Sequence, residues 1–302
     1  MLGDKFIGRM ICIVCSLLII GETAEASAIP SEFQKAVAFI FAGNEPNLTC
    51  GTGFFIGVRR PNDPNRGRIY LVTAKHVISK PNSTEYFDKI FLRLNKKDGS
   101  SEILRLPIVA NGNNKNVFFH NDPSVDIAVI PYLPNEDKFD FIALPDEMVT
   151  TQEEYKTLKI REGSEVFFTG LFTPYLGSEK NYPVVRFGHV ALVTDEKIRF
   201  AGEPTDLYLV EAGSYGGNSG SPVFFCLGLE TIEPGRLIVA GSPIYKLAGI
   251  MKGTFLDEKE IKVIETKSIS MAYSNMGIAA VVPSYKLHEI LFGDELKKKR
   301  GF

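Results

Sequence analysis

Excess charge of either sign is missing from this sequence. Thirty-four Lys and Arg stand against 36 Asp and Glu, a net charge of −2. That balance argues against a nucleic-acid or polyanion binder, which needs a surplus of basic side chains. The one basic run, Lys297-Lys298-Lys299-Arg300, has the placement of the cationic end of a helix. Cysteine and histidine are scarce, four of each; the histidines are scattered and the two cysteines beyond the first 28 residues are isolated, so no metal centre is expected. Long apolar runs are absent too: none approaches the roughly 20 residues that cross a bilayer as a helix. Internal repeats and low-complexity linkers are also lacking. The 44% of hydrophobic residues suffice for one large core or two small ones.

The first 28 residues differ from the rest. Lys5 and Arg9 precede an apolar run from Met10 to Ile20, and small residues follow, ending in Ala26-Ser27-Ala28. A charged start, a short apolar run and an A-x-A site make a secretory signal peptide. Cleavage after Ala28 and export to the periplasm or the exterior are expected, with no stable membrane insertion afterwards. Cys12 and Cys15 leave with the leader. Cys50 and Cys226 remain, either as one disulfide or as two buried thiols. Asn47-Leu48-Thr49 and Asn82-Ser83-Thr84 match glycosylation acceptors, which matter only in a eukaryotic secretory pathway.

Short β-branched or aromatic runs, separated by Gly, Pro, Asn and Asp, dominate the mature chain. They fall at residues 36–41, 53–58, 69–73, 89–94, 126–131, 165–168, 189–194, 207–211, 222–225, 237–240, 248–251 and 277–282. Helical signals are confined to about 147–158 and to about 284–299, where Pro283 precedes the apolar stripe Leu287, Ile290, Leu291. The pattern predicts an all-β sandwich or barrel. The least strand-like stretch, 134–162, divides the chain into two strand-rich parts with room for a cleft between them.

Within "GGNSGSPVFF", residues 216–225, Ser219 stands beside glycines and ahead of a strand. This is either a loop entering a strand or a nucleophile. A serine hydroxyl needs a histidine base, an orienting acid and backbone N–H donors aimed at the oxyanion. His76 follows a strong strand in "IYLVTAKHV", so a rigid element would hold it against open space. His120, His189 and His288 have no comparable setting. Asp126 opens the apolar run "VDIAVI", where a partly buried carboxylate needs a partner such as a histidine N–H. Asp122 and Asp140 are turn-like and rank lower.

"LVTAKHV", "VDIAVI" and "GNSGSPVF", in that order, resemble the three active-site segments of the chymotrypsin-like serine peptidases. "GTGFFIG" at 51–57 and "GIAAVVP" at 277–283 resemble strands of the same family, so the likeness runs over most of 36–298. "YGGNSGSPVF" is most similar to bacterial secreted peptidases of the glutamyl-endopeptidase type. The resemblance implies two packed six-stranded antiparallel β-barrels, about 36–140 and 160–282, followed by a C-terminal helix. It implies a serine endopeptidase acting on polypeptide with no cofactor or metal. His76 would be the base, Asp126 its orienter and Ser219 the nucleophile, with Gly217 and Ser219 N–H groups forming the oxyanion hole. Gly213, Ser214, Met251 and Ala279 would line a neutral specificity pocket, and Met251-Lys252-Gly253 would bond an extended substrate.

The sequence departs from the family pattern at several positions. Asn218 replaces the aspartate that pairs with a new N-terminal amine in trypsin. Val77 stands where the partner of a cysteine at position 50 is usual. Gly213 replaces the acid of trypsin-like pockets, and Met251 the histidine of glutamyl-specific ones. Two other readings use the same residues. One is a catalytically inactive protease scaffold that binds protein. The other is an α/β-hydrolase esterase using Ser219, Asp257 and His288, for which the sequence lacks the helices and the G-x-S-x-G elbow.

Overall fold

The computed structural model describes residues 29–43, 48–61, 63–81, 83–112, 114–227, 230–233, 236–239, 244–261 and 270–301. The expected leader with Cys12 and Cys15 lies outside the described residues, as do Asn47, Asn82 and Ala240.

In the first half, β1 (Val37–Ala42), β2 (Thr49–Arg60), β3 (Asp63–Thr73), β4 (Lys89–Asn95), β5 (Ser101–Pro107), β6 (Phe118–Phe119), β7 (Ala128–Pro131) and β8 (Leu144–Pro145) form one sheet. Its order is β5-β4-β1-β2-β3-β7-β6, with β8 added in parallel to β2. Alternation sets the inward face: along β4, Ile90, Leu92 and Leu94 are buried while their neighbours are only partly covered. These side chains meet Ile40, Phe55, Leu71 and Ile130 in one core. Each large side chain fully buried there contributes about 1.5–3 kcal/mol.

The second half holds β9 (Glu165–Gly170), β10 (Val184–Leu192), β13 (Tyr208–Glu211), β14 (Pro222–Cys226), β17 (Tyr245–Ile261) and β18 (Ser270–Pro283). They close into a barrel in the order β10-β13-β18-β17-β14-β9. Val166, Phe168, Val210, Val223, Phe225 and Val281 fill it. Two hairpins lie off the barrel: β11 (Ile198–Phe200) with β12 (Glu203–Thr205), and β15 (Glu230–Glu233) with β16 (Arg236–Val239).

The all-β class holds, and six-strand closure belongs to the second half. In the first, no ladder joins β5 to β6 among the described residues. β6 is only two residues long, and turn residues Asn111-Gly112 lie ahead of it, so the buried side chains of Ile108 and Val117 close that core instead.

Among the described residues, four α-helices flank the strands: α1 (Glu32–Lys35), α2 (Gln152–Thr157), α3 (Ser284–Leu291) and α4 (Asp294–Arg300). Phe33 of α1 packs on Phe167, Phe224 and Tyr245 of the barrel, with ring centroids 4.6–5.2 Å apart, just before the chain enters β1. The helix expected near 147–158 is shorter. It starts at a capping box in which Thr151 Oγ1 accepts from Glu154 N and Glu154 Oε2 accepts from Thr151 N. The C-terminal helix expected as one piece is two, broken at Phe292-Gly293, where a Cβ on Gly293 would press on the Glu289 carbonyl at 2.7 Å. Arg300 ends α4 buried, donating to the Leu291 carbonyl and to the Tyr70 hydroxyl of β3. Part of the basic run therefore anchors the tail to the first sheet.

Candidate active site

The register of β3 against β7 pairs Thr73 with Ala128. Continued past the ladder, it brings the residues after Thr73 alongside those before Ala128, and Lys75 N reaches Asp126 O at 3.4 Å. A short 3-10 turn, Lys75–Ile78, then buries Val77 and Ile78 and turns the His76 ring outward, leaving its side chain 49% exposed. Asp126 is 4% exposed between buried Val125 and Ile127. Its two oxygens are both used: Oδ1 accepts His76 N–H at 2.9 Å and Oδ2 lies 2.6 Å from His76 Nδ1. A carboxylate only accepts, so Nδ1 carries the proton and Nε2 presents its lone pair outward.

Burial works against charge on His76, but the Asp126 carboxylate and its hydrogen bond outweigh it and raise the His76 pKa above the ordinary 6.5. Burial would raise Asp126, yet the facing imidazole and the hydrogen bonds hold it well below the usual carboxylate range. Lys252 adds positive charge that lowers both.

Ser219 sits in the loop between β13 and β14. Thr52 of β2 clamps that loop to the first sheet. Its N–H donates to Ser219 O at 2.8 Å, and its Oγ1 donates to Gly217 O at 2.8 Å while accepting from Leu171 N at 2.9 Å. Gly217 has φ +91° and Gly220 has φ +85°. A Cβ on Gly220 would overlap the Thr52 carbonyl and lie 3.0 Å from Ala74 N, so the loop presses directly on the chain entering the His76 turn. Asn218 is buried. Its Nδ2 donates to Leu171 O at 2.8 Å, and its Oδ1 accepts from Tyr215 N at 2.9 Å. The loop is therefore held by neutral amide contacts at the place where trypsin uses a charge.

Two N–H groups remain. Among the described residues, neither Gly217 N nor Ser219 N donates to a protein acceptor. The Ser219 hydroxyl donates to Lys252 O at 3.3 Å rather than to His76. Lys252 sits at a register shift between Met251 and Gly253 in the β17–β18 ladder, a bulge that turns it toward the cleft. Its ammonium lies 5.6 Å from the Phe200 ring centre on the β11–β12 hairpin. Lys75, His76, Asp126, Phe200, Glu203 and Lys252 line a cavity of about 390 Å³. A roomier one of about 810 Å³, against Arg59, Arg68 and Arg300, has no serine, cysteine or histidine in its lining.

The remaining expected residues divide. Gly213 and Ser214 lie in the Ser219 loop, where Ser214 O accepts from Asn275 Nδ2 at 2.6 Å. Gly253 lies against Phe200. Met251 and Ala279 differ from expectation: both side chains are fully buried inside the closed barrel, because strand alternation turns them to its core. Only the backbone of Met251 serves the loop, accepting from Gly220 N at 2.8 Å and donating to Ser221 O at 2.9 Å. The surroundings of Gly213 are not neutral either. Arg186 of β10 reaches it, with Nη1 3.6 Å from where a Gly213 Cβ would stand. "NYPVVRFGHV" gives Arg186 no motif, so only the folded strand reveals it.

Cys50 and Cys226 are free thiols, so no bridge joins them. Burial raises both, Cys226 to about 11. His120 is engaged elsewhere, its Nε2 2.5 Å from Glu289 Oε2 of α3. His288 packs on Phe292, with ring centres 4.4 Å apart. The barrel architecture is not that of an α/β-hydrolase.

The family model of the trypsin-like peptidase domain matches residues 51–228, more than half of the chain and all three segments around His76, Asp126 and Ser219. The chain belongs to the trypsin-like peptidase domain family. Among solved structures, it is similar to the MamO protease domain from Magnetospirillum magneticum (apo form). Identity is 17%, with 85% of this chain and 96% of that chain covered, at a TM-score of 0.47. It is also similar to the serine endoprotease from Yersinia pestis, at 15% identity, 90% and 70% coverage and a TM-score of 0.46. No curated protein sequence matches it.

Proposed function

We propose that this chain is a secreted serine endopeptidase that hydrolyses peptide bonds through an acyl-enzyme on Ser219. The observation that carries the reading is the His76–Asp126 pair, fixed by two hydrogen bonds of 2.9 and 2.6 Å, beside a serine loop clamped by Thr52. Rotation of the Ser219 hydroxyl away from Lys252 O turns it toward His76 Nε2. His76 then takes the proton as Oγ attacks the carbonyl carbon, and Asp126 stabilises the imidazolium. The Gly217 and Ser219 N–H groups receive the oxyanion. Collapse of the tetrahedral intermediate breaks the C–N bond as His76 returns the proton to the leaving amine. Water, deprotonated by His76, then releases the acid.

Export rests on the leader-like first 28 residues. The Asn218 contacts allow the loop to form without a new N-terminal amine. A second reading, an inactive binding scaffold, draws support from the Ser219–Lys252 hydrogen bond. Digestion of a peptide library separates the two. The peptidase reading expects cleavage by the wild type and none by S219A. An intact wild type that leaves every peptide uncut supports the scaffold.

A further inference from the structure

We infer that Arg93 and Asn181 are positioning residues for Ser219: they latch the segment 171–183 to the first sheet, and that segment holds the loop that carries the nucleophile. The inference rests on the peptidase reading above and names what keeps its site assembled. Residues 171–183, between β9 and β10, carry no helix or strand, so no sheet ladder holds them. Arg93 of β4 supplies three donors instead. Nη1 donates to Leu176 O at 2.9 Å, Nη2 to Ser178 O at 3.2 Å and Nε to Ser101 Oγ at 3.0 Å. The Ser101 hydroxyl then donates to Glu179 O at 2.6 Å. Asn181, 4% exposed, makes a reciprocal pair with Asn95: its N–H donates to Asn95 Oδ1 at 2.7 Å, and its carbonyl accepts from Asn95 Nδ2 at 3.0 Å. Its Nδ2 donates to Arg93 O at 2.6 Å.

The start of the same segment touches the Ser219 loop. Leu171 O accepts from Asn218 Nδ2 at 2.8 Å, and Thr173 Oγ1 donates to Gly216 O at 3.3 Å. Between these contacts lies Gly217, so close that an added Cβ would stand 2.9 Å from Thr173 Cγ2 and 3.1 Å from Leu171 Cγ. Leu171 and Leu176 share one apolar cluster with Val37 and Phe39 of β1, and Phe39 pairs in register with Arg93. Latch and cluster thus grip the segment from one pair of strands. A planar guanidinium reaches several acceptors that a single ammonium cannot serve together. Asn218 offers no charge to pair with a new amine, and the latch orders its loop from this side instead. Without the latch, fewer molecules hold both oxyanion donors in place, and the acylation rate falls with that fraction.

Hydrogen–deuterium exchange reads the coupling directly, in R93M, which keeps an apolar stem, in R93K, which keeps the charge, and in the milder S101A. Both Arg93 variants should exchange faster in 171–183 and also in 214–221, with β1 and β2 unchanged. Fluorophosphonate labelling of Ser219 should slow by about tenfold or more in both, the loss expected when the assembled loop falls to about a tenth of the molecules. The pH midpoint of labelling should stay at the wild-type value, because the latch bears on the oxyanion donors and not on His76. S101A should show the same effects in smaller measure, and it decides the matter if the Arg93 variants do not fold. Exchange needs no turnover, so a wild type that never labels counts against the peptidase reading while the coupling is still measured. Faster exchange confined to 171–183, with 214–221 as in the wild type, overturns the inference. So does an R93K, or with both Arg93 variants unfolded an S101A, that matches the wild type in both segments.

Discussion

A histidine works as a base only when neutral, so under the proposed function the raised pKa of His76 sets where activity should appear. The rate should climb as pH rises through a midpoint above 6.5, because the Asp126 carboxylate holds the imidazolium proton on. Removing that charge in D126N should move the midpoint down. The same change should cut kcat by about 10⁴, since nothing then fixes the proton on Nδ1. Lys252 acts with the opposite sign: its ammonium opposes the imidazolium. K252M should therefore shift the midpoint upward. Profiles of kcat/KM from pH 5 to 9 check all three, and identical midpoints in the wild type and both variants would contradict the electrostatics. At this scale the sequence was informative where an element fixes the residue. His76 at a strand end and Asp126 at a strand mouth could be paired by reading, because a strand end is a rigid position. Arg186 could not, since an arginine within a strand gives no sign of which loop it will meet.

Elements set the alignment that these residues need. β2 is the chief device, because it belongs to the first sheet while Thr52 holds the loop of the second barrel. Replacing Thr52 by Val keeps the shape but leaves the Gly217 carbonyl and the Leu171 N–H unmatched, at about 1–3 kcal/mol for each buried group. Thr52→Val should lower both unfolding stability and Ser219 reactivity, and Thr52→Ser, which keeps the hydroxyl, should recover most of each. Denaturant melts and labelling rates measure the two effects, and a Val variant indistinguishable from wild type would remove Thr52 from this role. Every expected strand has a counterpart, since β-branched and aromatic runs bounded by turn residues mark strands locally. The bulge at Lys252 and the short hairpin carrying Phe200 were not legible, because a register shift is decided by the partner strand. For the same reason Met251 and Ala279, read as pocket walls, turn into the barrel.

At the scale of the molecule, three stretches far apart in sequence come together. β3 and β7 bring His76 to Asp126, and Thr52 brings the Ser219 loop to the chain entering the His76 turn. The two strand-rich halves were visible in the sequence, but the open ladder of the first half was not, because closure depends on whether distant edge strands find each other. The Ser219 hydroxyl donates to Lys252 O, and the proposed mechanism requires it to turn from that carbonyl to His76. Intact-mass analysis after exposure to a fluorophosphonate, with the adduct mapped by peptide sequencing, reads that reactivity directly. The account predicts a single adduct on Ser219 in the wild type and none in S219A or H76A. A folded wild type that takes up no label, or labelling of H76A as fast as wild type, would contradict it.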